Sequence, residues 1–285
     1  MSAFMAVVKR HAVAFYFVLT IAISWTGLVA VVGPGGLPLS WQRFERLGPI
    51  LYFVALAGPF FAGILMTVLT SGRTGLRDIL RHLRRWRVGV RWYVVAFLPT
   101  LVLAAVYLAL AIFSPDYVPT FVTTDGKAGF LLITLAISLL FGFFEEIGWT
   151  GFAVPRLLPT HGVVAAGVVV GLVWGVWHFP LFWESDSFSG ALPIVILVGR
   201  LIFWLPAFRV LMVWVYDRTE SLLLAVLMHA SLVAAQLTVT SQGQEGAARL
   251  IGLVALGAAL WLFVVAVVVA NHRHGKRPLV GAVSA

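Results

Sequence analysis

The chain has 285 residues, 61% of them hydrophobic and only 11% charged, against roughly 25% charged in a typical soluble domain. A water-soluble fold of this length cannot hide so much apolar surface, so lipid must be the solvent for much of it. The absence of cysteine excludes disulfides, thiolate metal sites and a cysteine nucleophile. The formal charge of +9 falls beside apolar stretches, as topology signals and lipid contacts do, and not in a nucleic-acid-binding pattern.

A helical crossing needs about 20 apolar residues. Eight stretches qualify: 12–32, 49–70, 92–113, 129–152, 163–183, 191–214, 221–240 and 248–270. The expected fold is therefore an all-α, polytopic transmembrane bundle of about eight spans, forming one domain over 1–285. Lys9 and Arg10 precede the first stretch, which is long enough to span and reads as a membrane helix, not a cleaved signal. Segment 73–91 holds Arg73, Arg77, Arg81, Arg84, Arg85, Arg87 and Arg91 against Asp78, and is predicted to be a basic cytoplasmic loop or an interfacial helix. Eight spans then put both termini in the cytoplasm. Arg156 and Arg218 fall in inner loops, while Asp116, Asp125, Glu184, Asp186 and Glu245 fall in outer ones. The end of the chain, 278–285, is predicted to be a loose tail.

Glu145 and Glu146 are the only acidic residues inside an apolar run. A central acidic residue costs about 2.5–3.5 kcal/mol on insertion scales, so such a pair is functional by default. Two of the seven histidines, His178 and His229, also lie inside spans. One carboxylate and two imidazoles can polarise a water molecule, take its proton and stabilise an oxyanion. Glu145, His178 and His229 would equally suit a Zn²⁺ ion with an open fourth position. Phe141, Phe143, Phe144, Trp149 and Trp174 would form a dry wall around them. Neighbours on a helix point about 100° apart, so one glutamate is expected to work on water and the other to hold a neighbour. Thr150, one turn on from Glu146, faces it with a hydroxyl. Arg200, in the sixth apolar run without a local acid, is a candidate charge partner for Glu146.

These residues resemble the CPBP family, the CAAX-protease and bacteriocin-processing intramembrane endopeptidases, also called Abi. The family's Glu-Glu-x-x-x-Arg motif reads Glu145-Glu146-Ile147-Gly148-Trp149-Thr150, followed by Gly151-Phe152. Its Phe-x-x-x-His motif reads Trp174-Gly175-Val176-Trp177-His178, and its His-x-x-x-Asn/Asp motif reads His229-Ala230-Ser231-Leu232-Val233. The resemblance covers about 50–240 and implies an intramembrane endopeptidase acting on a membrane-associated peptide or protein. It implies that Glu145 activates water, Glu146 supports it, and His178 and His229 stabilise the oxyanion; the family has been discussed both as metal-dependent and as glutamate-dependent. Thr150 replaces the motif arginine and Val233 the motif Asn/Asp, with Ser231 or Gln236 as substitute donors. Those departures leave a second reading open, a non-catalytic relative acting as a peptide-binding immunity or scaffold protein. A proton-coupled transporter is a third, against which no repeat of broken helices is found in matching halves. For Glu145 to meet His178, their helices must be tilted or offset.

Overall fold

The computed structural model describes residues 3–273 except 34, 242 and 243. The tail predicted at 278–285 lies outside the described residues. Among the described residues there are helices and turns but no strand. In chain order the helices are α1 (Ala3–Arg10), α2 (Ala12–Val32), α3 (Trp41–Leu83), α4 (Val90–Phe113), α5 (Thr120–Thr123), α6 (Lys127–Gly148), α7 (Val154–Phe182), α8 (Ala191–Ile202), α9 (Trp204–Thr219), α10 (Leu222–Val239) and α11 (Gly246–Arg273). A five-residue π turn, Trp149–Ala153, joins α6 to α7.

Seven helical stretches are long and apolar enough to cross a membrane. One of them, Lys127–Phe182, has 56 residues, which as a straight helix would reach about 84 Å, well over twice the ~30 Å hydrocarbon core. It folds back on itself. Trp174 Nε1 lies 2.6 Å from Glu145 Oε2 although 29 residues separate them, about 44 Å along a continuous helix. Counted as two passes, this stretch brings the seven to the eight expected.

Two glycines make the sharp breaks within helical runs. Gly72 (φ 60°, ψ −149°) separates the apolar part of α3 from the basic segment 73–83. Gly162 (φ 70°, ψ 176°) separates residues 154–161 from the long pass of α7. Positive φ is strained for any residue with a Cβ, so glycine suits both points. The basic run is therefore helical as far as Leu83 and turns only over 84–89.

The bundle is inverted relative to a soluble protein. Val18, Phe61, Ile112 and Leu132 are exposed on its outside, whereas Thr20, Ser24, Thr67 and Ser138 are buried. Apolar surface facing lipid carries no penalty, and association falls to close packing and internal hydrogen bonds. Ser24, for example, donates to the Ala55 carbonyl at 2.6 Å, joining α2 to α3. Small residues let the helix axes approach. Gly167, Gly171 and Gly175 recur every fourth residue on one face of α7, and a Cβ on them would meet Val210, Pro206 and Leu201 within 2.5 Å or less. On α6, Gly142 lies against the Val226 carbonyl and Gly148 against the Pro59 carbonyl. The glutamate pair is thus bracketed by two backbone-level contacts, with α10 before it and α3 after it.

Candidate active site

Glu145 and Glu146 occupy the last turn and a half of α6, and both are buried. Their surroundings differ as the 100° step between them requires. Glu146 faces inward to three elements. Arg209 Nη1, from α9, donates to both of its oxygens at 2.8 and 3.0 Å. The Thr150 hydroxyl, one turn on, donates to Oε2. His229 Nδ1, from α10, lies 2.8 Å from Oε1. Both members of the Arg209–Glu146 pair have fully buried side chains. The guanidinium also lies 4.3 Å from the centre of the Trp174 ring, which offers its Nε and Nη2 side a π face in place of a hydrogen-bond acceptor.

Glu145 is held differently. Its Oε2 accepts from Trp174 Nε1 at 2.6 Å and from Trp149 Nε1 at 3.3 Å. Its Oε1 lies 3.9 Å from His229 Nε2. The imidazole of His229 therefore stands between the two carboxylates, bonded to Glu146 through one nitrogen and facing Glu145 with the other. A carboxylate paired to arginine accepts only, so Nδ1 carries the proton in that bond and Nε2 of the neutral ring is an acceptor.

His178 reaches the same cavity wall but joins neither carboxylate by a hydrogen bond or ion pair. Its Nδ1 is bonded to the Trp174 carbonyl one turn back at 2.8 Å, and its ring stacks on Phe182 at 4.9 Å. The carbonyl can only accept, so the neutral ring presents an acceptor at Nε2. That is the opposite of what an oxyanion requires.

The cavity holds about 1340 Å³. Glu145, Trp174, His178, His229 and Val233 line it, with Gln236 two turns above His229 on α10. Arg200, Glu184 and Arg249 stand at its mouth. Glu184 bridges the two arginines, each at 2.6 Å. Burial pushes the Glu184 carboxyl up, but Arg249 and Arg200 outweigh it and hold the group below the usual carboxylate range.

Two sequence expectations are corrected. Arg200 does not pair with Glu146; it is committed to Glu184 and lies 4.2 Å over the Phe182 ring. Ser231 does not face the site; it shares a hydrogen bond with Thr100 of α4 at 2.7 Å and donates to the Met228 carbonyl. The residue missed was Arg209. Its signal was the same as that of Arg200, an arginine inside an apolar run without a local acid.

The metal reading was tested on the donor geometry. Among the described residues no three His, Asp or Glu side chains are grouped closely enough to hold an ion. Glu146 and His229 Nδ1 are spent on each other, and His178 stands apart. The set Glu145, His178 and His229 is thus not gathered into a Zn²⁺ site, and no step below passes through a metal.

Fold and site together define an integral, multi-pass membrane protein with a buried carboxylate–histidine centre at the floor of an open cavity. Residues 127–235 match the family described as Type II CAAX prenyl endopeptidase Rce1-like. A CAAX prenyl protease 2 of Methanococcus maripaludis is 23% identical over 165 residues, which make up 52% of this chain and 56% of that protein. The aligned part thus spans little more than half of the relative's length. Residues 127–235 are thus similar to this family of CAAX endopeptidases, the resemblance that the three motifs carried. Glu145, Glu146, His178, Arg209 and His229 all fall within the matched residues.

Proposed function

We propose that the protein is an intramembrane endopeptidase that cleaves a membrane-associated polypeptide with water activated at Glu145. The observation that carries this reading is the division of labour between adjacent carboxylates. Glu146 is saturated by Arg209, Thr150 and His229, while Glu145 keeps one oxygen towards the cavity, 3.9 Å from His229 Nε2. A water seated against both atoms has two acceptors for its two protons, which leaves a lone pair free to attack.

Attack forms a carbon–oxygen bond at the scissile carbonyl while Glu145 takes the water's proton. The two indole N–H groups on Oε2 fix the carboxylate and aim Oε1. The tetrahedral intermediate collapses by breaking the carbon–nitrogen bond, and the proton held by Glu145 passes to the leaving amine, directly or through His229 Nε2. Glu146 behind His229 steadies the imidazolium during such a transfer, as a carboxylate does in hydrolytic triads. His178 supports the reading as an acceptor on the cavity wall, able to hold a substrate N–H.

The non-catalytic reading rested on the departures at Thr150 and Val233, of which the first is the missing motif arginine. Arg209 supports hydrolysis instead, because it supplies the counter-charge from another helix and leaves no orphan carboxylate. The test is cleavage by wild type and by Glu145→Gln, each purified and given a membrane-tethered reporter peptide in prenylated and unprenylated form. Loss of cleavage in the variant is expected; equal cleavage would sink the proposal.

A further inference from the structure

A second, smaller groove of about 360 Å³ lies where α4 begins and α9 and α11 end. Trp92 comes to it from α4, Trp214 and Arg218 from α9, and Phe263, Val267 and Asn271 from α11. It shares no lining residue with the hydrolytic cavity. The α11 residues, with Ala266 and Ala270, recur at the three- and four-residue spacing of one helix face. From Phe263 to Asn271 that face extends about 12 Å, most of the ~15 Å that one leaflet contributes to the hydrocarbon core. The groove is graded along this length. Phe263, Ala266 and Val267 make its deep part apolar, and Arg218 and Asn271 stand at the helix ends. Ala266 and Ala270 are exposed, so the groove is open sideways to lipid.

The outer part is cationic. Arg218 Nη2 donates to Asn271 Oδ1 at 2.5 Å, and its Nε lies 3.5 Å from Asp217 Oδ2. Arg91 is exposed, with its guanidinium 5.6 Å from the centre of the Trp92 ring, and it pairs with no carboxylate among the described residues. Trp92 and Trp214 meet edge to face at 5.3 Å. Neither indole N–H is hydrogen-bonded among the described residues, so both keep a donor to offer. Tryptophans are favoured where hydrocarbon meets headgroups, because the ring is apolar and its N–H is not. Two arginines, one carboxylate and two unspent indole donors thus surround an apolar slot about one leaflet deep.

We propose that this groove binds one anionic phospholipid, with its phosphate on Arg91 and Arg218 and one acyl chain along Phe263, Ala266 and Val267. A phosphodiester supplies charged acceptors for the guanidinium and indole donors, and basic pockets between membrane helices hold such headgroups. A free anion meets the charge but leaves the apolar slot open. A zwitterionic lipid fills the slot but brings a cation of its own to the arginines. Bound there, the lipid joins the ends of α4, α9 and α11, and α9 is the helix that delivers Arg209 to Glu146. The site is independent of the hydrolytic reading, since none of its residues lines that cavity.

Full-length protein in detergent is mixed with dioleoyl phosphatidylglycerol or dioleoyl phosphatidylcholine at equal mole fraction, and the lipid retained per protein is read by native mass spectrometry. Wild type is expected to keep one phosphatidylglycerol at least about fivefold more than phosphatidylcholine, roughly the factor that one arginine contributes beside an anionic headgroup. Arg91→Gln should cut that preference about fivefold. Ala270→Trp fills the slot from an exposed position and should cut retention of phosphatidylglycerol without changing a charge. Arg77→Gln is the control for general attraction by the basic segment, because Arg77 is exposed and does not line the groove; its retention should match wild type. Equal retention of the two lipids, an equal loss in Arg77→Gln and Arg91→Gln, or undiminished retention by a folded Ala270→Trp overturns the proposal. Arg91 is exposed, so its variant decides the matter even where the tryptophan disturbs folding. In thermal unfolding, phosphatidylglycerol should raise the midpoint of wild type and not that of Arg91→Gln. An equal rise with inorganic phosphate would reveal an anion site without a lipid, and would overturn it too.

Discussion

Glu145 and Glu146 are neighbours in the chain and occupy opposite kinds of environment. On one side of α6, Glu146 has an arginine, a hydroxyl and an imidazole, and no face towards the cavity. On the other, Glu145 has two indole donors on one oxygen and an imidazole nitrogen across a gap from the other. A single step around the helix separates a carboxylate bound to three neighbouring side chains from one that lines the cavity. A buried ion pair is weak evidence for stability on balance, but breaking one by removing a partner is strongly destabilising. The fixed carboxylate and the one proposed to react should therefore fail in different ways.

The largest effect expected is on the reactive side. Glu145→Gln should lower cleavage about 10²–10⁴-fold, the usual reach of a positioned general base. Its thermal midpoint should stay within about 4 °C of wild type, the shift that about 1 kcal/mol gives a chain of this order of size. A matching collapse of the midpoint would erase the contrast. On the fixed side, Arg209→Met should destabilise by about 3–5 kcal/mol by stranding Glu146. The double variant Arg209→Met/Glu146→Gln should recover part of that loss, read by thermal unfolding in detergent; a double variant no more stable than the single one would show that Glu146 is not the group being stranded. Thr150→Val removes one hydrogen bond to a charged acceptor and should cost about 1.5–3 kcal/mol, with Arg209 and His229 still in place. Ser231→Ala sharpens the boundary of the site. It should cost about 1 kcal/mol through the lost bond to Thr100 and leave cleavage at the wild-type level.

The smallest effect lies at the mouth. Glu184 is partly exposed, and pairs of that kind contribute about 0–1 kcal/mol. Its carboxyl is held below the ordinary value of 4.5, so whatever the clamp contributes is fully present above that value and is lost as pH falls through the lowered one. The stability difference between wild type and Glu184→Gln should therefore be flat from neutral pH down to about 4.5 and shrink below it. A difference that shrinks above that point would mean that the arginines do not govern Glu184.

Much of this was legible in the sequence. Composition and apolar run lengths gave the membrane, the helical class and the passes. The expense of acids in lipid singled out the glutamate pair, and the i, i+4 spacing gave the bond from Thr150 to Glu146. Arg209 was not legible because its partner is 63 residues away on another helix. Arg200 and Arg209 share one apolar run, and nine residues place them about 180° apart on an ideal helix, so only one could face the pair, and the run does not say which. Ser231 could have been set aside, since two residues past His229 is about 200° around α10. The role of His178 depends on a bond to its own helix's carbonyl, which no motif encodes.

The distance in sequence between Glu146 and Arg209 has a consequence for how the protein is made. An arginine four residues along would meet its carboxylate as soon as the helix formed. Here the carboxylate is finished first, and its counter-charge is 63 residues further along the nascent chain. At about 5–20 residues per second, synthesis leaves the acidic helix waiting roughly 3–13 s for its partner. During that interval an uncompensated glutamate must be tolerated at the insertion machinery or stay protonated in the lipid. The charge pair that closes the site in the finished bundle is thus also a checkpoint in assembly, passed only when α9 has docked beside α7 and delivered Arg209.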